Sequence, residues 1–169
     1  VVPEYLRVHV KFGFGSIEDP ELRVIIGLEI TPEISAKPGA RRKAFLSQVG
    51  YVQTILQKFC EELGSTTGWT AVHMIKVVST PGKSKMDKSD FEKREQPSRI
   101  GGAQNVHIGR LLWLARGCRI DIVIATNRLG RRVTMWSYAD DLALYRVYQY
   151  LAGTILVGLW YTVDVSSTA

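Results

Sequence analysis

Three stretches in the second half of the chain repeat apolar residues at helical spacing. From Val106 to Arg116, the residues Val106, Ile108, Leu111, Leu112, Leu114 and Ala115 fall mainly on one side, with Arg110 and Trp113 flanking them. This predicts a buried helix over 104–116. Ile122, Ala125 and Leu129 recur at i, i+3 and i+7 and the pattern stops at Gly130, predicting a helix over 121–130. The β-branched run Ile122–Ile124 leaves a strand open there. The third helix, over 140–152, begins with Asp140 and Asp141, whose charge suits the positive end of a helix. It continues through Leu142, Leu144, Tyr145, Tyr148 and Leu151 to Gly153. In the first half, Tyr51, Val52, Ile55, Leu56, Phe59 and Leu63 share one face of a helix over 48–63, with Ser47-Gln48 to cap it and Gly64 to stop it.

Strand patterns are shorter. Leu6, Val8 and Val10 alternate with polar residues over 5–10, and the β-branched run RVIIGLEI predicts a buried strand over 22–30. A strand over 40–46 comes after the turn formers Pro32, Pro38 and Gly39, with the basic triplet Arg41-Arg42-Lys43 read as part of a hairpin loop. Ile155, Val157, Leu159 and Tyr161 alternate over 154–162, and the tail from Val165 to Ala169 reads as frayed. Phe12-Gly13-Phe14-Gly15 is not succeeded by the lysine and helix of a phosphate loop. The stretch 65–99 has almost no apolar period and reads as a solvated linker. The expected fold is α+β, with short strands, about four helices and a helical C-terminal half. It divides into 1–64 (strands and a helix), the linker 65–99, and 100–169 (helices with a terminal strand).

Composition is ordinary for a globular chain of 169 residues, 46% hydrophobic and 22% charged, and no apolar run is long enough for a membrane span. Cys60 and Cys118 are too far apart for a metal motif, with only His9, His73 and His107 as other soft ligands. They read as buried thiols of a reducing, intracellular compartment, and neither a metal nor a cofactor is expected. The net charge of +6 is uneven: residues 100–152 hold seven arginines against Asp121, Asp140 and Asp141, and no lysine. A planar guanidinium forks onto phosphate, so an arginine-only excess fits nucleic-acid backbone contact, the other reading being a face that docks on acidic protein. The opening Val1 fits a processed product or a piece of a longer polypeptide.

The segment LLWLARGCRIDIVIATNRLGRRVTMW, continuing as DDLALYRVYQYLAGTILVGLWY, resembles the part of copia-type retrotransposon reverse transcriptases that joins the polymerase to the ribonuclease H domain. Gly109, Leu111, Leu112, Trp113, Leu114 and Ala115 match its first helix, and Arg119, Asp121, Ile122, Ala125, Leu129 and Arg131 its second. Ala143, Leu144, Arg146, Val147, Tyr150, Leu151, Gly153, Thr154, Gly158, Leu159 and Tyr161 match the remainder of the family's pattern. Leu46, Ser47, Gln48, Tyr51, Ile55, Leu56 and Phe59 match the start of the family's thumb, and Ser79-Thr80-Pro81 matches its linker. Ile120 departs from the family's usual proline. The resemblance implies that 1–64 holds palm-end strands and a thumb-like helix, and that 100–169 is a connection-like segment.

Tyr138-Ala139-Asp140-Asp141 spells the Y-x-D-D in which reverse transcriptases hold two magnesium ions. In the family that motif precedes the strand matched here by Leu28-Glu29-Ile30, whereas these residues come over a hundred positions after it. The helical period after Asp141 also argues for a helix first turn rather than a catalytic hairpin. No catalytic residue is expected, and no turnover from this chain alone, although the family is an RNA-directed DNA polymerase. The expected function is that of a non-catalytic fragment or descendant gripping a duplex or an RNA–DNA hybrid. Its phosphate contacts would be Arg110, Arg116, Arg119, Arg128, Arg131 and Arg132, with Arg41, Arg42 and Lys43 as a second patch. The alternative is a structural or adaptor subunit whose arginines meet the protein subunits of a larger assembly.

Overall fold

The computed structural model describes residues 24–25, 27–33, 42–83 and 88–163. The predicted strand over 5–10, the glycine pair near 13–15 and the tail beyond 163 lie outside the described residues. The chain divides into two compact units, a sheet unit of residues 1–48 and 158–169 and a helical unit of residues 49–157. These boundaries do not coincide with those expected at 64 and 99. The fold class is α+β, as the periodicities predict.

The sheet unit is an antiparallel sheet in chain order: β1 (Val24–Ile25), β2 (Leu28–Glu33), β3 (Arg42–Ser47) and β4 (Leu159–Val163). The run expected as one strand over 22–30 is bent into a hairpin. Ile25 pairs with Leu28 across a tight turn where Gly27 takes φ +75°. Only glycine adopts that conformation freely, so the β-branched density on either side cannot keep the strand straight. The strand expected over 40–46 is β3, and Arg42 and Lys43, also read as part of a basic hairpin loop, open it opposite Val163 and Thr162 of β4. Glu29 and Ser47 pair across β2 and β3, and the Ser47 hydroxyl donates to the Glu29 carboxylate at 2.9 Å. Phe45 and Trp160 pack with ring centroids 5.0 Å apart.

The helical unit contains α1 (Val49–Thr67), α2 (Lys88–Arg94), α3 (Gln104–Gly117), α4 (Val123–Gly130) and α5 (Tyr138–Gly153). Helix α1 runs past the expected stop at Gly64 to Gly68, whose φ of +78° ends it while its N–H donates to the Gly64 carbonyl at 2.8 Å. Gly64 serves packing instead, since a Cβ there would lie 3.2 Å from the Trp69 carbonyl oxygen. Val52, Ile55, Leu56, Phe59 and Leu63 of α1 meet Leu111 and Leu114 of α3 and Leu144, Tyr148 and Leu151 of α5 in one core. Each such side chain, fully buried, contributes on the order of 1.5–3 kcal/mol. Phe59 stacks on Tyr148 at 4.2 Å, and His107 meets Tyr148 edge-on at 5.5 Å. Val106, expected in the core, is exposed, and its neighbour His107 is buried in its place. Cys60 and Cys118 are both buried.

Two expectations about connections are corrected. Residues 65–99 are not simply a solvated linker, because Ile75 is buried and Pro97 bridges to Ser137 while the Gln96 carbonyl accepts the Tyr138 N–H at 3.0 Å. The terminal strand begins at Leu159 rather than near 154, because the carbonyl and hydroxyl of Thr154 accept hydrogen bonds from Arg119 just where α5 stops. Gly153 ends α5 beside Val77, whose Cγ1 would collide with any added Cβ.

A sharper case of close packing tests the sheet. A Cβ on Gly158 would collide with the Leu46 carbonyl oxygen and lie 2.7 Å from the Phe45 ring. Gly158→Ala should therefore force β3 and β4 apart and cost about 1–3 kcal/mol, read by urea unfolding. A variant as stable as the parent would contradict the close approach.

Candidate anion-binding site

The six arginines expected to bind phosphate have different fates. Arg119 is fully buried. Its Nε and Nη2 donate to the Asp121 carboxylate at 3.0 and 2.8 Å, its Nη1 to the Thr154 carbonyl at 2.9 Å and Nη2 also to the Thr154 hydroxyl at 2.7 Å. Buried and forked onto these partners, it is out of reach of a phosphate, so Arg119 is removed from the site and read as structural. Arg110 is committed too: Nη1 and Nη2 fork onto both oxygens of Glu62 at 2.6 and 2.7 Å. Arg132 donates from Nε to Asp140 at 2.6 Å and from Nη2 to the Met135 carbonyl at 3.1 Å. Arg116, Arg128 and Arg131 are exposed. Arg42 and Lys43 belong to the sheet unit, and Arg41 lies outside the described residues.

An open cleft of about 700 Å³ is lined by one face of α4, one face of α5 and the turn Thr80–Lys83. The helical period builds both walls. Ile124, Ala125, Arg128, Leu129 and Arg132 succeed one another on one side, and Ala139, Leu142, Ala143 and Arg146 on the other. The lining combines the apolar residues Ile124, Ala125, Leu129, Leu142 and Ala143 with the basic residues Lys83, Arg94, Arg128, Arg132 and Arg146. Among the described residues the acids in the lining are Asp121 and Asp140, and both are ion-paired, Asp121 with Arg119 and Asp140 with Arg132. Among the described residues, Arg128 and Arg146 have no carboxylate partner. Arg146 donates from Nη2 to the Thr80 hydroxyl at 2.9 Å, and its buried Nε has no acceptor. A phosphate or sulfate group accepts from such a side-on fork without displacing an existing ion pair.

Sequence reasoning missed Arg146, Thr80, Lys83 and Arg94. The available signal was the spacing Leu142, Ala143, Arg146, which marks a second face of α5 behind the core face of Leu144 and Tyr148. That face acquires meaning only from the turn at Thr80, 66 positions away.

The Y-x-D-D aspartates occupy the first turn of α5, and their oxygens are consumed by the fold. Asp140 accepts the Ser137 N–H at 3.0 Å while the Ser137 side chain accepts the Asp140 N–H, a capping box, and the Ser137 hydroxyl also donates to Asp140 at 2.8 Å. Asp141, fully buried, accepts the Ser98 hydroxyl at 2.9 Å, the Arg99 N–H at 2.6 Å and the Trp136 indole N–H at 2.7 Å. Among the described residues no helix is long and apolar enough to cross a membrane. Compared with protein-family models, curated proteins and solved structures, the chain matches none.

The buried ion pair is open to a direct measurement. Burial alone would raise the Asp121 carboxyl, but the hydrogen bonds and charge of Arg119 outweigh it and hold the group below its ordinary value. Asp121→Asn leaves the Arg119 charge buried without its partner and should cost about 3 kcal/mol by denaturant unfolding. Arg119→Met, which leaves the partly exposed Asp121 to water, should cost less; the reverse order would contradict the assignment.

His107 governs a pH window. Its Nδ1 lies 2.9 Å from the Tyr148 hydroxyl, and its Nε2 lies 3.6 Å from Glu62. Burial, only partly opposed by Glu62, pushes its pKa from 6.5 down to about 4. The unfolded chain thus takes up a proton near pH 6.5 that the folded chain refuses until about pH 4. This contribution is complete above pH 6.5 and is lost as pH falls toward 4, amounting to about 3 kcal/mol at most. His107→Gln should flatten the stability profile in that window, and an unchanged slope would contradict the reading.

Proposed function

We propose that this chain is a non-catalytic module that holds nucleic-acid backbone, and that it derives from the connection region of a copia-type reverse transcriptase. The observation that carries the binding reading is the cleft between α4 and α5. Among the described residues its acids, Asp121 and Asp140, are already paired, and the guanidinium groups of Arg128 and Arg146 line it without a carboxylate partner. Arg131, one residue beyond α4, adds an exposed cation at that helix's end. The ordered motif matches support the ancestry. The non-catalytic part rests on Asp140 and Asp141, whose oxygens already accept hydrogen bonds from Ser137, Arg132, Ser98, Arg99 and Trp136.

Backbone contact of this kind is blind to sequence and steep in salt. If Arg128, Arg131 and Arg146 each neutralise a phosphate, the log–log salt slope on duplex or RNA–DNA hybrid should be roughly −3. Arg128→Ala and Arg146→Ala should each lower its magnitude by about one, while Arg119→Met leaves it unchanged. A slope that drops with Arg119 instead, or no binding at low salt, counts against the proposal. One observation favours the adaptor reading as the alternative: Ile124, 68% exposed, lies in the same cleft, where a protein partner would cover it. Absence of nucleic-acid binding would make that the better account.

A further inference from the structure

Thr80 sits where an arginine fork is half used. Its hydroxyl donates to the Gly82 carbonyl at 3.1 Å and accepts from Arg146 Nη2 at 2.9 Å. Side-on, an arginine offers Nε–H and one Nη–H in parallel, the pair that grips two oxygens of one phosphate. In Arg146 the Nη2 half of that pair is on Thr80 and the Nε half is buried with no acceptor. A hydroxyl has one oxygen and satisfies one donor. A phosphate ester on the same Oγ1 adds three acceptor oxygens and close to two negative charges.

The surroundings suit that group. Thr80 is exposed, and the adjoining Pro81 biases it toward an extended backbone that presents the side chain outward. Arg128 lines the same cleft, and Asp121 and Asp140 are already held by Arg119 and Arg132, so among the described residues no unpaired carboxylate of the lining repels an incoming dianion. Ser79 is also exposed but has threonine, not proline, as its next residue.

We infer that Thr80 is a phosphorylation site for a proline-directed protein kinase, and that its phosphate docks on Arg146 and Arg128 inside the cleft. The kinase transfers the γ-phosphoryl group of ATP to Oγ1: a P–O bond to threonine forms, the bond to the β-phosphate oxygen breaks, and ADP and the hydroxyl proton leave. The phosphate then satisfies both donors of the Arg146 fork and ties the turn at 79–83 to α5. Its further consequence rests on the proposed function. A docked phosphate occupies the cations that would hold nucleic-acid backbone, so modification switches that binding off.

The test treats the full chain with a proline-directed kinase and ATP, maps the product by mass spectrometry, and tracks the phosphothreonine by 31P NMR across pH. Incorporation at Thr80, abolished by Thr80→Val, is expected. The second ionisation of its phosphate should lie about half a unit or more below that of the same chain in denaturant, near 6. Arg146→Gln should remove the difference, and Arg128→Gln should reduce it. Phosphate on other residues only, or the same ionisation in folded and denatured chain, overturns the inference. In a parallel arm, phosphorylated chain should bind duplex at least tenfold more weakly at low salt. If unmodified chain binds no duplex, the backbone reading fails while the 31P shift still decides whether Thr80 phosphate docks. If unmodified chain binds and phosphorylation leaves affinity unchanged, the switch is overturned.

Discussion

A charge taken out of water must find its partners inside the protein, and the helical unit is arranged around three such charges at the ends of one helix. Asp140 and Asp141 sit at the N-terminal end of α5, where exposed N–H groups favour negative charge. Arg119 approaches the C-terminal end through Thr154, where carbonyls favour a cation. Both ends therefore agree with the helix dipole, and both reach beyond the helix. Asp141 draws in Ser98, Arg99 and Trp136, so the segment before α3 is tied to the start of α5. Arg119 joins the turn between α3 and α4 to the end of α5 through Asp121 and Thr154. The aromatic packing of Phe59 on Tyr148 lies between these anchors.

The same pairing sorts the arginines into two populations. Arg110, Arg119 and Arg132 each meet a carboxylate and serve the fold. Arg128 and Arg146 line a cleft whose acids those pairs have already silenced. Of those pairs, Arg132–Asp140 lies in the cleft lining and Arg119–Asp121 reaches it through Asp121, so the structural ion pairs set the field of the candidate site. Because Asp121 and Asp140 are each held by an arginine, the cleft keeps positive charge from Arg128 and Arg146 although these two carboxylates stand in its wall.

Helical periods were legible because each buried face repeats within a few residues. The ranges 104–116, 121–130 and 140–152 foresee α3, α4 and α5 closely, and the helical reading of Asp140 and Asp141 comes from the same pattern. What sequence could not show were choices made by distant neighbours. Gly64 looks like a helix stop until Trp69 is seen against it, and Gly27 breaks a run whose β-branched residues all favour a strand. The candidate site was half legible. Counting arginines located the excess charge, but counting cannot tell Arg119, consumed by Asp121 and Thr154, from Arg128, which is exposed. Arg146 was not assigned to the site because its partner Thr80 lies in a stretch that reads as linker.

The division of the arginines is tested most directly by the arginine Nε–H resonances of the folded chain, tracked by 15N NMR while a short duplex is added at low salt. The account predicts that Arg128 and Arg146 shift with the added duplex while Arg110, Arg119 and Arg132 stay in place and exchange slowly with solvent. Shifts confined to Arg110, Arg119 and Arg132, or rapid solvent exchange at Arg119, would contradict it.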